Sequence, residues 1–247
     1  FGWLLNNDRY TDGIDGSECV YTYAGTDGER IMLNYADKSC RINTYGNSFT
    51  QCHQVSDAET WQEVLAAHLQ EPVRNFGIGG WSVYQAYLRM LKEEKRTPSE
   101  YIIFNIYDDD HRRNLDSWRN IRRRKHPRFI EPTLPFVTVD LKSGQITEHS
   151  NPCPTPESVY DLCDLNKTYE IFKDDFVAKI MVAHLNSKHA NPNKTYQDIS
   201  ELATTHGINT AIEDNETLED VAEELHQKAS LTSSMRIVEK AEQFARE

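Results

Sequence analysis

Three short stretches of this chain hold residue types that could carry acyl-transfer chemistry. Gly46-Asn47-Ser48 follows the strand-like run Arg41-Ile-Asn-Thr-Tyr45 and sets a hydroxyl directly behind a turn. Gly77-Ile-Gly79-Gly80 follows a second run, Pro72-Val-Arg-Asn-Phe76, where a backbone N–H can approach a substrate with no side chain in between. Asp108-Asp109-Asp110-His111 follows closely on a third, Tyr101-Ile-Ile-Phe-Asn-Ile106. In an open α/β sheet, ligands gather outside the carboxyl ends of the strands. A serine, backbone donors and titratable groups at one such edge are what acyl transfer through a covalent intermediate requires.

Helices must lie between these strands. Ser56-Asp-Ala-Glu59 is a capping box, and the helix behind it carries Trp61, Val64, Leu65 and Leu69 on one face. Ser82 can cap a second helix with Val83, Ala86, Tyr87, Met90 and Leu91 at helical spacing. The third strand is nearly all apolar and is predicted to be buried on both faces. Strand, helix, strand, helix, strand with short loops predicts a parallel sheet with helices on both sides. Residues 1–40, with strand-like pieces at Cys19–Tyr23 and Arg30–Leu33, read as an N-terminal β appendage. Residues 41–247 read as the α/β domain. It carries a charged insertion over 108–155 and a helical region over 156–247. Within the insertion, Arg128–Ile130 and Pro135–Val139 are expected to form a hairpin. Helix starts are expected at Asn166, Thr195, Asn215 and Thr232.

The three blocks together resemble the SGNH (GDSL-type) serine hydrolases. Tyr45-Gly46-Asn47-Ser48-Phe49-Thr50 is similar to that family's first block, usually Gly-Asp-Ser. Asn75-Phe-Gly-Ile-Gly-Gly80-Trp81 looks like the second, and Ile106-Tyr-Asp-Asp109-Asp110 like the third, usually Gly-x-Asn-Asp. The blocks stand about thirty residues apart, and the resemblance covers roughly residues 41–115. It implies a flavodoxin-like three-layer α/β/α sandwich and hydrolysis of a carboxylic ester, a small acyl or acetyl ester on a small molecule or carbohydrate. Ser48 would be the nucleophile. The N–H groups of Ser48 and Gly80 would hold the oxyanion, and Asp109 would stand where the family has a third donor. Acyl transfer to a sugar would use the same nucleophile.

The chain departs from the family pattern in three places. Asn47 replaces the usual Asp and can still hydrogen-bond locally. Asp109 replaces Asn, and an ionised carboxylate cannot donate to an oxyanion unless burial or its acidic neighbours raise its pKa. The family's fourth block, Asp-x-x-His after two further strands, is not found after residue 140. Three readings follow: the chain continues beyond Glu247, the base comes from elsewhere, or the protein is not catalytic. His111, in the literal Asp108-x-x-His111, and His53, five residues after Ser48, are the candidate bases. Each also reads as an ordinary loop histidine, and Ser48 as a helix N-cap.

Composition sets the remaining bounds. Of 247 residues, 38% are hydrophobic and 27% charged, with 12 Tyr, 9 Phe and 4 Trp, which argues against disorder. No 18-residue apolar run predicts a membrane span, and no signal peptide is visible at the start. A net charge of −12 disfavours global nucleic-acid binding. The five scattered cysteines include no C-x-x-C, so free thiols are expected over a Cys153–Cys163 bridge, and no metal or cofactor is called for. The basic run Arg112, Arg113, Arg119, Arg122, Arg123, Arg124, Lys125 and Arg128, interleaved with Trp118, supports a rival reading: a non-catalytic protein that binds an anionic glycan or polymer. The plainer reading of that run is a solvated face paired with carboxylates. Oligomeric state and compartment stay open.

Overall fold

The structure is a computed structural model, and it describes residues 7–11, 13, 15–24, 28–123, 133–186 and 193–247. The fold is mixed α/β, with a sheet containing parallel strands, and the chain divides into two compact units. The first comprises the residues up to Asp110 together with Ile237–Glu247; the second comprises His111–Arg236.

In the first unit, β1 (Asp8–Tyr10) pairs antiparallel with β2 (Cys19–Tyr21). The main sheet has five strands: β3 (Tyr23–Ala24), β4 (Glu29–Arg30), β5 (Ile42–Tyr45), β6 (Val73–Asn75) and β7 (Tyr101–Phe104). Their spatial order is β3-β4-β6-β5-β7. Strand β5 is parallel to both neighbours, with Thr44 opposite Asn75 and Tyr45 opposite Phe104. Residues 23–30, part of the expected appendage, thus add two antiparallel strands to the same sheet that carries the three blocks.

The helix after β6 follows its pattern. Helix α3 (Val83–Arg96) is capped by a Ser82–Gln85 capping box and buries Val83, Ala86, Tyr87 and Met90. The same helix buries an Arg89–Glu93 ion pair at 3.0 Å, with the guanidinium over the Phe76 ring. Glu94 accepts from the Tyr45 hydroxyl at 2.7 Å and from Asn43 Nδ2 at 2.8 Å. Burial and that hydrogen bond to Glu94 push the Tyr45 phenol far above its ordinary pKa.

Three expectations for this unit are corrected. The Ser56 box caps only a 3-10 turn, Asp57–Glu59; helix α2 (Trp61–Leu69) starts behind Thr60, whose side chain accepts from Glu63 N–H. The apolar face of α2 is not its buried face, since Val64 is 65% exposed while Gln62, Glu63 and Ala66 are buried. The buried polar groups close loops. Gln62 Nε2 donates to Thr44 Oγ1 and Thr50 O, and Glu63 accepts from the N–H groups of Leu33 and Asn34. Strand β7 is likewise not enclosed. Among the described residues it pairs only with β5, and Tyr101 and Ile103 are 52% and 36% exposed. An apolar run records the potential for burial, whereas the position at a sheet edge decides it.

The second unit holds a hairpin and helices. Its hairpin joins β8 (Phe136–Asp140) to β9 (Gln145–His149), with Val139 opposite Ile146. The expected partner Arg128–Ile130 lies outside the described residues. The short helices α4 (Asp110–Arg113) and α5 (Pro156–Val159) precede α6 (Leu165–Phe172), α7 (Phe176–Asn186), α8 (Asn193–Thr205) and α9 (Asn215–Arg246). Ile180, Ala183, Ile199, Ala203, Leu218, Ala222 and Leu225 form the core. No helix begins at Thr232, because α9 runs through it. Ser230 Oγ donates to His226 O and Ser233 Oγ to Ser230 O, so these hydroxyls bond inside the helix instead of capping a new one. A cavity of about 460 Å³ in this unit is walled by Trp118, stacked on Phe172, and by Tyr169, Val182 and Ile199. All five cysteines are free thiols. No helix among the described residues is long and apolar enough to cross a membrane.

Candidate functional site

The site is built on the carboxyl end of β5. The chain leaves Tyr45, turns at Gly46 and enters the single-turn helix α1 (Ser48–Gln51). Asn47, not Ser48, is the N-cap: its Oδ1 accepts from Phe49 N–H at 2.9 Å. Ser48 is therefore the first helical residue, and the capping role read for it from sequence falls away. Its hydroxyl and its backbone N–H have no hydrogen-bond partner among the described residues. The turn ends at Cys52 in the left-handed conformation, φ 61°. Burial raises the Cys52 thiol pKa.

Two further loops are strapped to this turn by main-chain bonds. Ile78 N–H donates to Gly46 O at 3.1 Å, and Asn105 N–H donates to Tyr45 O at 2.8 Å. Gly77 passes so close to the α1 turn that a Cβ there would sit 2.3 Å from Gln51 N. Gly79 faces the serine: a Cβ at Gly79 would lie 3.7 Å from Ser48 Cβ. Gly80 follows with φ +80°, a conformation that favours glycine. Of the residues selected from sequence, Ser48 and the Gly79–Gly80 turn are thus brought together.

The third loop meets the site through Asp110. Both Asp110 carboxylate oxygens accept from Asn47 Nδ2, at 2.9 and 2.8 Å, and Oδ2 also accepts from Tyr107 N–H. Asp109 is half-buried beside it. On the rim, Phe49 and Tyr107 are 55% and 48% exposed and pack ring against ring, centroids 4.4 Å apart.

Neither candidate imidazole is hydrogen-bonded to the Ser48 hydroxyl among the described residues. The ring of His53 stacks on Tyr21 at 5.6 Å, and its backbone N–H donates to Ser48 O. His111 belongs to the second unit, where its Nδ1 is hydrogen-bonded to Ser234 Oγ at 2.7 Å. Asn114 Nδ2 donates to the same hydroxyl at 2.8 Å. Three arginines of the basic run are engaged with carboxylates. Arg112 pairs with Glu223, Arg119 with Asp116, and Arg122 Nη2 with Asp116 at 2.8 Å; residues 124–128 lie outside the described residues. Among the described residues no group of three His, Cys, Asp or Glu side chains could hold a metal ion.

Sequence reasoning did not find Gln51, and it named Asp110 only among the acidic residues of the third loop, without its contact to Asn47. Gln51 Oε1 accepts from Gly79 N–H at 2.6 Å, and its Nε2 donates to the Tyr23 hydroxyl at 2.6 Å. Gln51 lies one helical turn after Ser48, but no local pattern announces partners 28 positions away in either direction. Set beside known proteins, the chain stands apart: no protein-family model, no curated protein and no solved structure matches it.

Proposed function

We propose that the chain is a serine ester hydrolase of the SGNH type, built on a flavodoxin-like α/β/α sandwich. The observation that carries the reading is the placement of Ser48. It is the first residue of a helical turn capped by its neighbour, with hydroxyl and N–H unengaged among the described residues, against a glycine turn strapped to the same strand end. In the reaction, Ser48 Oγ bonds to the acyl carbon and its proton passes to a base. The oxyanion is held by the N–H groups of Ser48 and Gly80, each such donor typically worth about 3 kcal/mol. The alcohol then leaves with a proton, and water hydrolyses the acyl-enzyme. Asp109 takes the third donor position, which it fills only when protonated. No general base is assigned.

The exposed Phe49–Tyr107 pair supports a carbohydrate as the ester's alcohol part, because paired ring faces beside a nucleophile suit the apolar face of a sugar. A small acyl group such as acetyl follows from the same family reading. The pairing of Arg112, Arg119 and Arg122 with Glu223 and Asp116 leaves these three arginines less available to an anionic polymer, the rival reading.

The test is intact-protein mass spectrometry with a fluorophosphonate probe. Ser48 Oγ displaces fluoride from phosphorus, leaving one adduct on the wild type and none on Ser48→Ala. An unlabelled wild type, or a mutant labelled equally, rejects the proposal.

A further inference from the structure

We infer that Gln51 is the positioning residue of the oxyanion loop, and that the N-terminal strands hold it in place. The inference rests on the ester-hydrolase reading and extends it to residues outside the three blocks.

Gln51 is 1% exposed and fixed from both ends. Its main-chain oxygen accepts from Arg30 Nη1 at 2.6 Å. Arg30 is itself buried, on β4, and also donates to Cys52 O, Val55 O and Asp57 Oδ1. The side-chain amide lies between Tyr23 on β3 and Gly79 on the oxyanion loop. Its orientation is determined by its partners: turned over, its NH₂ would face the Gly79 N–H, donor against donor. The Gly79 N–H is therefore occupied by Gln51 and is not itself an oxyanion donor. Gln51 touches no reacting atom. It holds Gly79 where an added Cβ would lie 3.7 Å from Ser48 Cβ, and a loop displaced by about 1 Å can cost on the order of 100-fold in rate. Strands β3 and β4 are by this account part of the catalytic scaffold.

The test compares wild type with Gln51→Leu, Gln51→Glu and Tyr23→Phe. It uses three readouts: the second-order rate of fluorophosphonate labelling, the exchange rate of the Gly79 amide by NMR, and the melting temperature. Gln51→Leu should deprotect the Gly79 amide and slow labelling by about 10- to 100-fold. Gln51→Glu keeps an acceptor for Gly79, and the Tyr23 hydroxyl can turn to donate to it, so labelling should recover to within about fivefold of wild type. Tyr23→Phe removes the acceptor for Nε2 and should cost a few-fold, which keeps the test decisive if Gln51→Leu fails to fold. Labelling of Gln51→Leu at the wild-type rate overturns the inference while the hydrolase reading stands. Losses that simply follow melting temperature across all three variants overturn it in favour of a structural role. An unlabelled wild type whose Gly79 protection still depends on Gln51 rejects the hydrolase reading and the positioning role together, and leaves only a structural contact.

Discussion

Asn47 Nδ2 lies 2.9 and 2.8 Å from the two carboxylate oxygens of Asp110, and both residues are buried. This contact ties the nucleophile turn to the third loop, and it requires a donor at position 47. Asn47→Asp would set two carboxylates face to face, and like charges at such a distance cannot both ionise cheaply. The expected loss is about 1–3 kcal/mol at pH 7, shrinking near pH 5 as one carboxyl takes up a proton. Urea unfolding at the two pH values measures it. The swapped pair Asn47→Asp with Asp110→Asn should recover most of the loss. Equal destabilisation in the swapped pair would mean that the contact is incidental.

Gly77 is held by closeness of backbone. A Cβ there would meet Gln51 N at 2.3 Å and Thr50 C at 2.6 Å, and neither can rotate away. Gly77→Ala should cost about 3 kcal/mol or more, read as a lowered urea midpoint with an unchanged slope. A loss below about 1 kcal/mol would show that the α1 turn yields.

His226 should make stability fall in acid. Its ring is fully buried, neither nitrogen has a hydrogen-bond partner among the described residues, and its pKa is lowered to about 4, first by burial and then by Arg112 and Arg122. Unfolded, the imidazole titrates near 6.5. Between those values the unfolded chain binds a proton that the folded chain does not. Stability is thus fully present above about pH 6.5 and declines as pH falls toward 4. The contribution is on the order of 3 kcal/mol. His226→Leu should flatten that acid limb in denaturation measured from pH 7 to pH 4; an unchanged slope would place the acid sensitivity elsewhere.

The rim aromatics should act on binding rather than chemistry. Phe49→Ala and Tyr107→Ala are expected to raise KM for an acetylated oligosaccharide about 5- to 30-fold, since stacking contacts are worth roughly 1–2 kcal/mol each. Fluorophosphonate labelling of Ser48 should change by less than about threefold. A fall in kcat with KM unchanged would contradict a stacking role.

The alternation of strand and helix over residues 41–106 was legible in sequence, because its signals are local: an apolar run, a capping side chain, a glycine turn. The same locality placed Ser48, Gly77 and Gly80 at strand ends, where a parallel sheet gathers its loops. What the sequence alone could not decide is which surfaces meet. Val64 and Leu69 on the apolar face of α2 are exposed while Gln62 and Glu63 are buried, because those two have partners in other parts of the chain. The β7 run is apolar, but its burial depends on a neighbouring strand rather than on its own composition. Gln51, Tyr23 and Arg30 look like unremarkable polar residues until folding brings positions 23, 30, 51 and 79 together. Side-chain hydrogen bonds across such separations leave no periodic trace, so the residues that could do chemistry were readable one by one, and the residues that hold them in register emerged only from the tertiary structure.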